Sequence, residues 1–199
     1  FGVSPVVVGA IVIGFGTSAP ELLVSGIAAA EGAADVGIGN IVGSNVANMT
    51  LVLGIAGLIG AGIAVTSSTI RREVPLAIGA TVLFGWFLQG GLTRVEGVIL
   101  LLALAGALTI VVVGGRRDAA DPVLAQAADA APQELTGTAR RDGIVTAVGL
   151  VGVVLGAQAL VWGAERAAES LGLSGGFVGM TLVAIGTSMP EIVTSAKAA

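Results

Sequence analysis

Two short stretches of this chain, GFGTSAPE at 14–21 and AIGTSMPE at 184–191, each place a threonine, a serine, a proline and a glutamate inside apolar sequence. Thr17, Glu21 and Ser25 are spaced by four and Ser18 lies three before Glu21, so on a helix their oxygens share one face. Carboxylate and hydroxyl oxygens are ligands for hard cations such as sodium and calcium. Pro20 has no N–H, and its ring crowds the carbonyl of Gly16; Pro190 does the same to Gly186. Each freed carbonyl needs a partner, a cation or a neighbouring hydroxyl, because an unsatisfied backbone group in hydrocarbon is costly.

The blander account makes the prolines packing kinks and the hydroxyls backbone partners. It suits the serines and threonines singly better than it suits Glu21 and Glu191. A lone carboxylate at membrane depth costs about 2.5 kcal/mol or more, so an intramembrane glutamate is a functional candidate by default. A third oxygen-bearing stretch, GNIVGSNVAN at 39–48, sets Asn40, Ser44 and Asn48 four apart. Asn40 and Asn45 fit interhelical hydrogen bonding as well as ion contact, whereas Asn48 is the better ligand candidate. Gly39 and Gly43 form a small-xxx-small pair that admits a second helix closely.

Composition says what surrounds these groups. The chain is 55% apolar and 11% charged, with 32 glycines; soluble domains carry roughly 25% charge. Apolar runs near the roughly 20 residues of a membrane span recur between short polar breaks. No basic face with interleaved aromatics points to nucleic acid. With no cysteine and no histidine, disulfides, thiolate or imidazole metal sites and histidine-based nucleophilic pairs are excluded. The opening FGVSPVVVGA has no cationic region and does not read as a signal peptide. Ala199 falls inside an apolar segment, so a chain cut at both ends is expected.

Six spans are expected, at about 4–30, 37–65, 74–91, 95–113, 143–163 and 174–199. The second is long enough to require tilt, a kink or an extension at Gly54, Gly57, Gly60 and Gly62. Arg71, Arg72, Arg116, Arg117, Arg140 and Arg141 lie in the second and fourth connections, against Arg94 and Arg166 in the third and fifth. That bias puts the second and fourth connections in the cytoplasm and the chain in a plasma (inner) membrane as a multi-pass protein. The stretch 114–142 is polar and alanine-rich and reads as a cytoplasmic linker dividing 1–113 from 143–199.

Sliding the chain by 170 residues superposes 4–29 on 174–199 with eleven identities: Ser4, Val8, Gly9, Gly16, Thr17, Ser18, Pro20, Glu21, Ser25, Ala28 and Ala29 with their counterparts. The identities concentrate on the polar motif, which biased composition alone would not produce. The first and sixth spans run in opposite directions, so the repeat is inverted. Secondary transporters build midplane sites from broken helices in this arrangement.

GFGTSAPELLVSGIAAA and GNIVGSNVANMTLVLG, followed by VGMTLVAIGTSMPEIVTS, resemble the two alpha repeats of the sodium/calcium exchanger family of cation/calcium antiporters, and most closely its compact prokaryotic members. The resemblance covers the first, second and sixth spans closely and the others by hydropathy. It implies an all-α polytopic membrane protein with an inverted-repeat transporter fold of ten helices, about six of them present here. The segment 1–113 would be the first repeat lacking its first helix, and 143–199 the start of the second. By motif, Glu21 and Glu191 match the family's central cation-binding glutamates, and Thr17, Ser18, Thr187 and Ser188 the hydroxyl ligands beside them. Ser44 and Asn48 match ligands of the next helix, and the carbonyls of Gly14 and Ala184 the backbone ligands. The second-repeat counterpart of Asn48 would fall near position 218.

The activity so implied is calcium export against sodium entry, with calcium and sodium as bound cargo and no cofactor. Proton/calcium exchange, with the glutamates titrating, is the nearest alternative, and potassium co-transport stays open. A passive channel would call for a ring or filter rather than two inverted half-sites. An enzyme is a poorer reading, since no nucleophile motif or cofactor fingerprint accompanies the two carboxylates.

Overall fold

A computed structural model of the chain describes residues 14–60, 69–117 and 139–198, and every regular element among these is helical. A helical turn at 14–17 leads into α1 (Ala19–Ala30). The next run joins α2 (Ala34–Ala47), a π-helical turn at Asn48–Val52 and α3 (Leu53–Ile59). A second π-turn, Thr69–Glu73, opens α4 (Val74–Leu88), and α5 spans Arg94–Arg117. Then come α6 (Ala139–Leu171), α7 (Gly175–Val178), a third π-turn at Gly179–Val183, α8 (Ala184–Thr187) and α9 (Met189–Ala198).

Four of these runs are long and apolar enough to cross a bilayer: Ala34–Ile59, Arg94–Gly114, Ala147–Leu171 and Gly175–Ala196. Large apolar side chains crowd their surfaces, Leu101, Leu102, Val148 and Leu155 among them. In water such exposure would be a liability; in lipid it is the outer surface of a span. The chain is an all-α polytopic membrane protein.

The described residues fall into two compact units, one of 14–60 with 139–198 and the other of 69–117. These units are groupings by contact and cut across the sequence halves: α1 and α2 pack with α6 to α9, while α4 and α5 pair with each other. Of the stretch 114–142, Arg117 ends α5 and Ala139 begins α6; the linker between them lies outside the described residues.

In the second unit Thr93 and Glu96 cap α5 reciprocally: Thr93 N–H donates to Glu96 Oε2 at 2.7 Å and Glu96 N–H to Thr93 Oγ1 at 3.4 Å. That is the capping box, satisfying two of the four N–H groups a helix start leaves open. At the far end of α5, Gly114 leaves room for the Arg72 guanidinium, which a Cβ there would strike. Arg72 also pairs with Glu73 at 3.2 Å.

The first unit holds the core, made of small branched or short side chains. Ala157, Val161, Ala164 and Ala168 form a stripe along α6 that meets Val24 and Ala28 of α1, Val36 of α2, and Val178 and Val183. Alanine and valine let helix axes approach, which dispersion favours where no hydrophobic drive separates protein from lipid. Both α1 and α6 end alike: Ala33 N–H reaches the Ala28 carbonyl at 2.8 Å and Leu173 N–H the Ala168 carbonyl at 2.9 Å, five residues back. Gly32 (φ 86) and Gly172 (φ 65) make those turns possible.

The closest crossing joins α2 to the α7 run. A Cβ on Gly39 would strike the Gly176 carbonyl, one on Gly43 the Met180 carbonyl, and one on Gly179 the Val36 carbonyl. The Gly39–Gly43 pair therefore lies against the backbone of Gly176 and Met180, and Gly179 in turn against the backbone of Val36.

Two expectations need correction. The irregularity in the second span falls at Asn48–Val52, ahead of the glycines, with Gly54 and Gly57 inside regular α3, Gly60 extended beyond it and Gly62 outside the described residues. Within that π-turn the Thr50 hydroxyl donates to the Val46 carbonyl at 2.7 Å, and Leu53 N–H reaches the Asn48 carbonyl, five back. Arg166 lies within α6 rather than in a connection, its guanidinium 3.6 Å from the ring centroid of Trp162 one turn earlier.

Candidate functional site

Both GTS-x-PE boxes fold the same way. A helical turn ends at Thr17 or Thr187, the serine steps out of regular geometry, and a new helix starts with proline in its first turn. Ser18 has φ −83 and ψ 3, Ser188 φ −82 and ψ 4. Proline suits the first turn of a helix because no intrahelical acceptor awaits its missing N–H there. The glutamate one residue on lies in that first turn in both boxes, Glu21 in α1 and Glu191 in α9.

The threonines turn back onto the carbonyls expected to be ligands. Thr17 Oγ1 donates to the Gly14 carbonyl at 3.3 Å and Thr187 Oγ1 to the Ala184 carbonyl at 3.2 Å. Those carbonyls also accept the backbone N–H of Ser18 and Ser188, both at 3.1 Å. In each box one lone pair is committed to the helix and the second is contested.

The two boxes meet. Ser188 Oγ lies 3.4 Å from Glu21 Oε1 as donor. Thr187 Oγ1 also donates to Asn40 Oδ1 at 3.0 Å, and Asn40 Nδ2 donates to Ser25 Oγ at 3.1 Å and to the Glu21 backbone carbonyl at 3.4 Å. Ser25 in turn donates to Gly37. Asn40 thus links α1, α2 and α8 through both amide hydrogens and one lone pair of its oxygen, the interhelical bonding its sequence allows. Ser44 is buried and donates to the Ile41 carbonyl at 3.3 Å; Asn45 is exposed and donates to the same carbonyl at 2.8 Å. Asn48 sits at the start of its π-turn, and α9, which carries Glu191, packs against that turn and against α3.

What is left over in this region is oxygen. Glu21 Oε2, both carboxylate oxygens of Glu191 and Oδ1 of Asn48 are buried with no hydrogen-bond partner among the described residues. All three residues were singled out from their spacing and motif. No ion pair with Lys or Arg reaches either glutamate among the described residues. Buried carboxylates without donors or counter-charge are strongly disfavoured, so the site calls for a cation or protons. Also among the described residues, no three His, Cys, Asp or Glu side chains gather into a metal cage. Two carboxylates with weak hydroxyl and amide oxygens suit an ion that must also leave.

Sequence reading missed the π-turns. MTLV occurs at 49–52 and again at 180–183, and both copies are π-helical, with the threonine bonded to the carbonyl four back: Thr50 to Val46 and Thr181 to Phe177 at 2.8 Å. One turn begins at Asn48 and the other ends at the residue before Ala184. The repeated tetrapeptide was the available signal.

The family model described as sodium/calcium exchanger protein matches residues 1–113 and 143–199. A protein of Alkalimonas amylolytica named as the antiporter CaxA is 38% identical over 97% of this chain and 60% of its own length. Inner membrane protein YrbG of Escherichia coli is 32% identical over 98% of this chain and 60% of its own. The sodium/calcium exchanger MaX1 of Methanosarcina acetivorans is 28% identical over the whole chain and 66% of its own length. The chain thus spans 60% of the length of the first two of these relatives. No solved structure matches it.

Proposed function

Since the chain belongs to the sodium/calcium exchanger family, we propose that the whole protein is a secondary antiporter exchanging calcium for sodium across the membrane by alternating access. The observation that carries this reading is the set of four partnerless buried oxygens on Glu21, Glu191 and Asn48 around two matching helix breaks. Glu21 and Glu191 supply up to two negative charges, which one calcium ion or two sodium ions neutralise. Thr17, Ser18, Thr187, Ser188, Ser44 and the carbonyls of Gly14 and Ala184 supply neutral oxygens to complete the ligand set. Both ions draw on the same carboxylates, so binding is mutually exclusive. The empty, doubly negative site resists crossing a low-dielectric barrier, and that resistance couples the two fluxes.

The inverted repeat gives this site access from either side in turn, with the broken helices as the moving parts. Relatives named as an antiporter and as a sodium/calcium exchanger support the reading, and one named as an inner membrane protein supports the location. The arginine bias supports a cytoplasmic 114–142, and an inward sodium gradient drives the exchange towards calcium export. The hydroxyls at 17, 18, 187 and 188 favour sodium over protons as counter-ion, since a titrating glutamate has no use for them.

The test uses full-length protein in sodium-loaded proteoliposomes, following calcium-45 uptake as external sodium is varied. Uptake that needs an outward sodium gradient is expected. Uptake indifferent to sodium and driven by a pH gradient would move the protein to proton coupling, and no coupled flux from folded protein would end the antiporter reading.

A further inference from the structure

Asn40 lies outside the proposed ligand set, yet it holds the one proton on which that set turns. Its orientation is fixed by the backbone: the Glu21 carbonyl can only accept, so the Asn40 amide nitrogen faces α1 and its oxygen faces Thr187. Ser25 completes the direction, accepting from Nδ2 at 3.1 Å while passing its own proton to Gly37. Thr187 has a single hydroxyl proton, whose acceptors are Asn40 Oδ1 at 3.0 Å and the Ala184 carbonyl at 3.2 Å, with the Glu21 carboxylate also beside its hydroxyl. Ala184 already accepts the N–H of Ser188. A proton on Ala184 would fill that carbonyl, whereas a proton on Asn40 leaves a lone pair on Ala184 open; the two lone pairs of Thr187 are open in either case, and the choice decides only where they point.

We propose that Asn40 is a positioning residue that draws the Thr187 hydroxyl away from the Ala184 carbonyl, so that both oxygens of the second box stay available to the transported cation. It rests on the cation-site reading above. Asn40, Thr187 and Ser188 are all buried with relative exposure of 1% or less, so water offers no substitute acceptor for the Thr187 proton. In the first box Thr17 is only half-buried and its hydroxyl bonds Gly14, so the two boxes differ in who holds the threonine proton. An outer partner that orients a ligand is typically worth about ten- to a hundredfold in metal affinity.

The experiment measures calcium-induced thermal stabilisation of the purified full-length protein, which needs no transport, for wild type, Asn40→Ala, Thr187→Val, the double variant and Ser25→Ala. Asn40→Ala is expected to weaken calcium binding about tenfold, and to add nothing once Thr187→Val is present. Ser25→Ala breaks the α1–α2 lock without touching Thr187, and is expected to lower the melting temperature while leaving calcium affinity near wild type. If Asn40→Ala does not fold, Asn40→Asp replaces it: the lock loses its donors but Thr187 keeps its acceptor, so calcium binding should be no weaker than wild type. Additive losses in the double variant, a Ser25→Ala loss equal to that of Asn40→Ala, or weakened binding in Asn40→Asp would overturn the proposal. A wild type that calcium does not stabilise would overturn the cation-site reading itself, and this inference with it.

Discussion

Ser188 Oγ lies 3.4 Å from Glu21 Oε1, a hydrogen bond between residues 167 apart in sequence that ties the serine of the second box to the carboxylate of the first. It holds one oxygen of Glu21 in place while Oε2 has no hydrogen-bond partner among the described residues. The carboxylate is therefore aimed without being neutralised, which is what a cation ligand needs. A hydrogen bond to a charged group is worth roughly 1.5–3 kcal/mol, and each 1.4 kcal/mol is about tenfold in affinity.

Ser188→Ala is accordingly expected to weaken calcium affinity about tenfold in the full-length protein. Glu21→Gln and Glu191→Gln remove a charge instead, worth roughly 4 kcal/mol per unit charge at 4 Å and an effective dielectric of about 20. They are expected to lose two to three orders of magnitude and all sodium-coupled flux. Calcium-45 uptake across a calcium titration checks the ranking; Ser188→Ala as damaging as either glutamine variant would contradict it.

The glycine crossing makes a prediction about folding rather than transport. Gly43→Ala would push its methyl into the Met180 carbonyl and against Ala184 Cβ, and Gly179→Ala into the Val36 carbonyl. Neither obstacle is a flexible side-chain end, so the loss should reach the upper part of the usual overpacking range, about 3 kcal/mol. Gly156→Ala has nothing within 4 Å and should be neutral or slightly stabilising. Thermal unfolding of the detergent-solubilised protein distinguishes them, and equal melting temperatures for all three would contradict the close approach.

Periodic features were legible in the sequence. Glu21 and Glu191 stand out by spacing and repetition and Asn48 by the family resemblance, and these three carry buried oxygens without a partner among the described residues; Gly39 and Gly43 announce a close crossing that is there. Features depending on what lies across a helix interface were not legible. Nothing in GNIVGSNVAN says that Asn40 faces Thr187, because their contact joins positions 147 apart. The π-turns escaped for a local reason: the choice between α and π hydrogen-bond patterns is a small local difference that apolar periodicity does not record.

Orientation has a clean test, because this stretch contains no cysteine. Glu169→Cys, exposed near the end of α6, is expected to react in intact cells with a maleimide that cannot cross the membrane. Gln126→Cys, in the arginine-flanked connection, should react only after permeabilisation. The reverse pattern would overturn the proposed topology.

The helix breaks themselves are the last object of test. Pro190→Ala restores an N–H opposite the Gly186 carbonyl, and alanine is the better helix former in a helix interior by about 3 kcal/mol. Proline is tolerated here because it sits in a first turn, so only part of that preference is at stake, and the protein should melt no lower than wild type. If the break serves the site, a straightened run would rotate Ser188 out of its bent geometry and away from Glu21, and calcium affinity should fall about tenfold although the fold is intact. Pro20→Ala tests the same logic on the first box, where Ser18 has nearly the same φ and ψ. The decisive comparison is stability against binding: a proline that is merely a packing kink would lower the melting temperature and leave calcium binding alone, whereas a proline that shapes the site does the opposite.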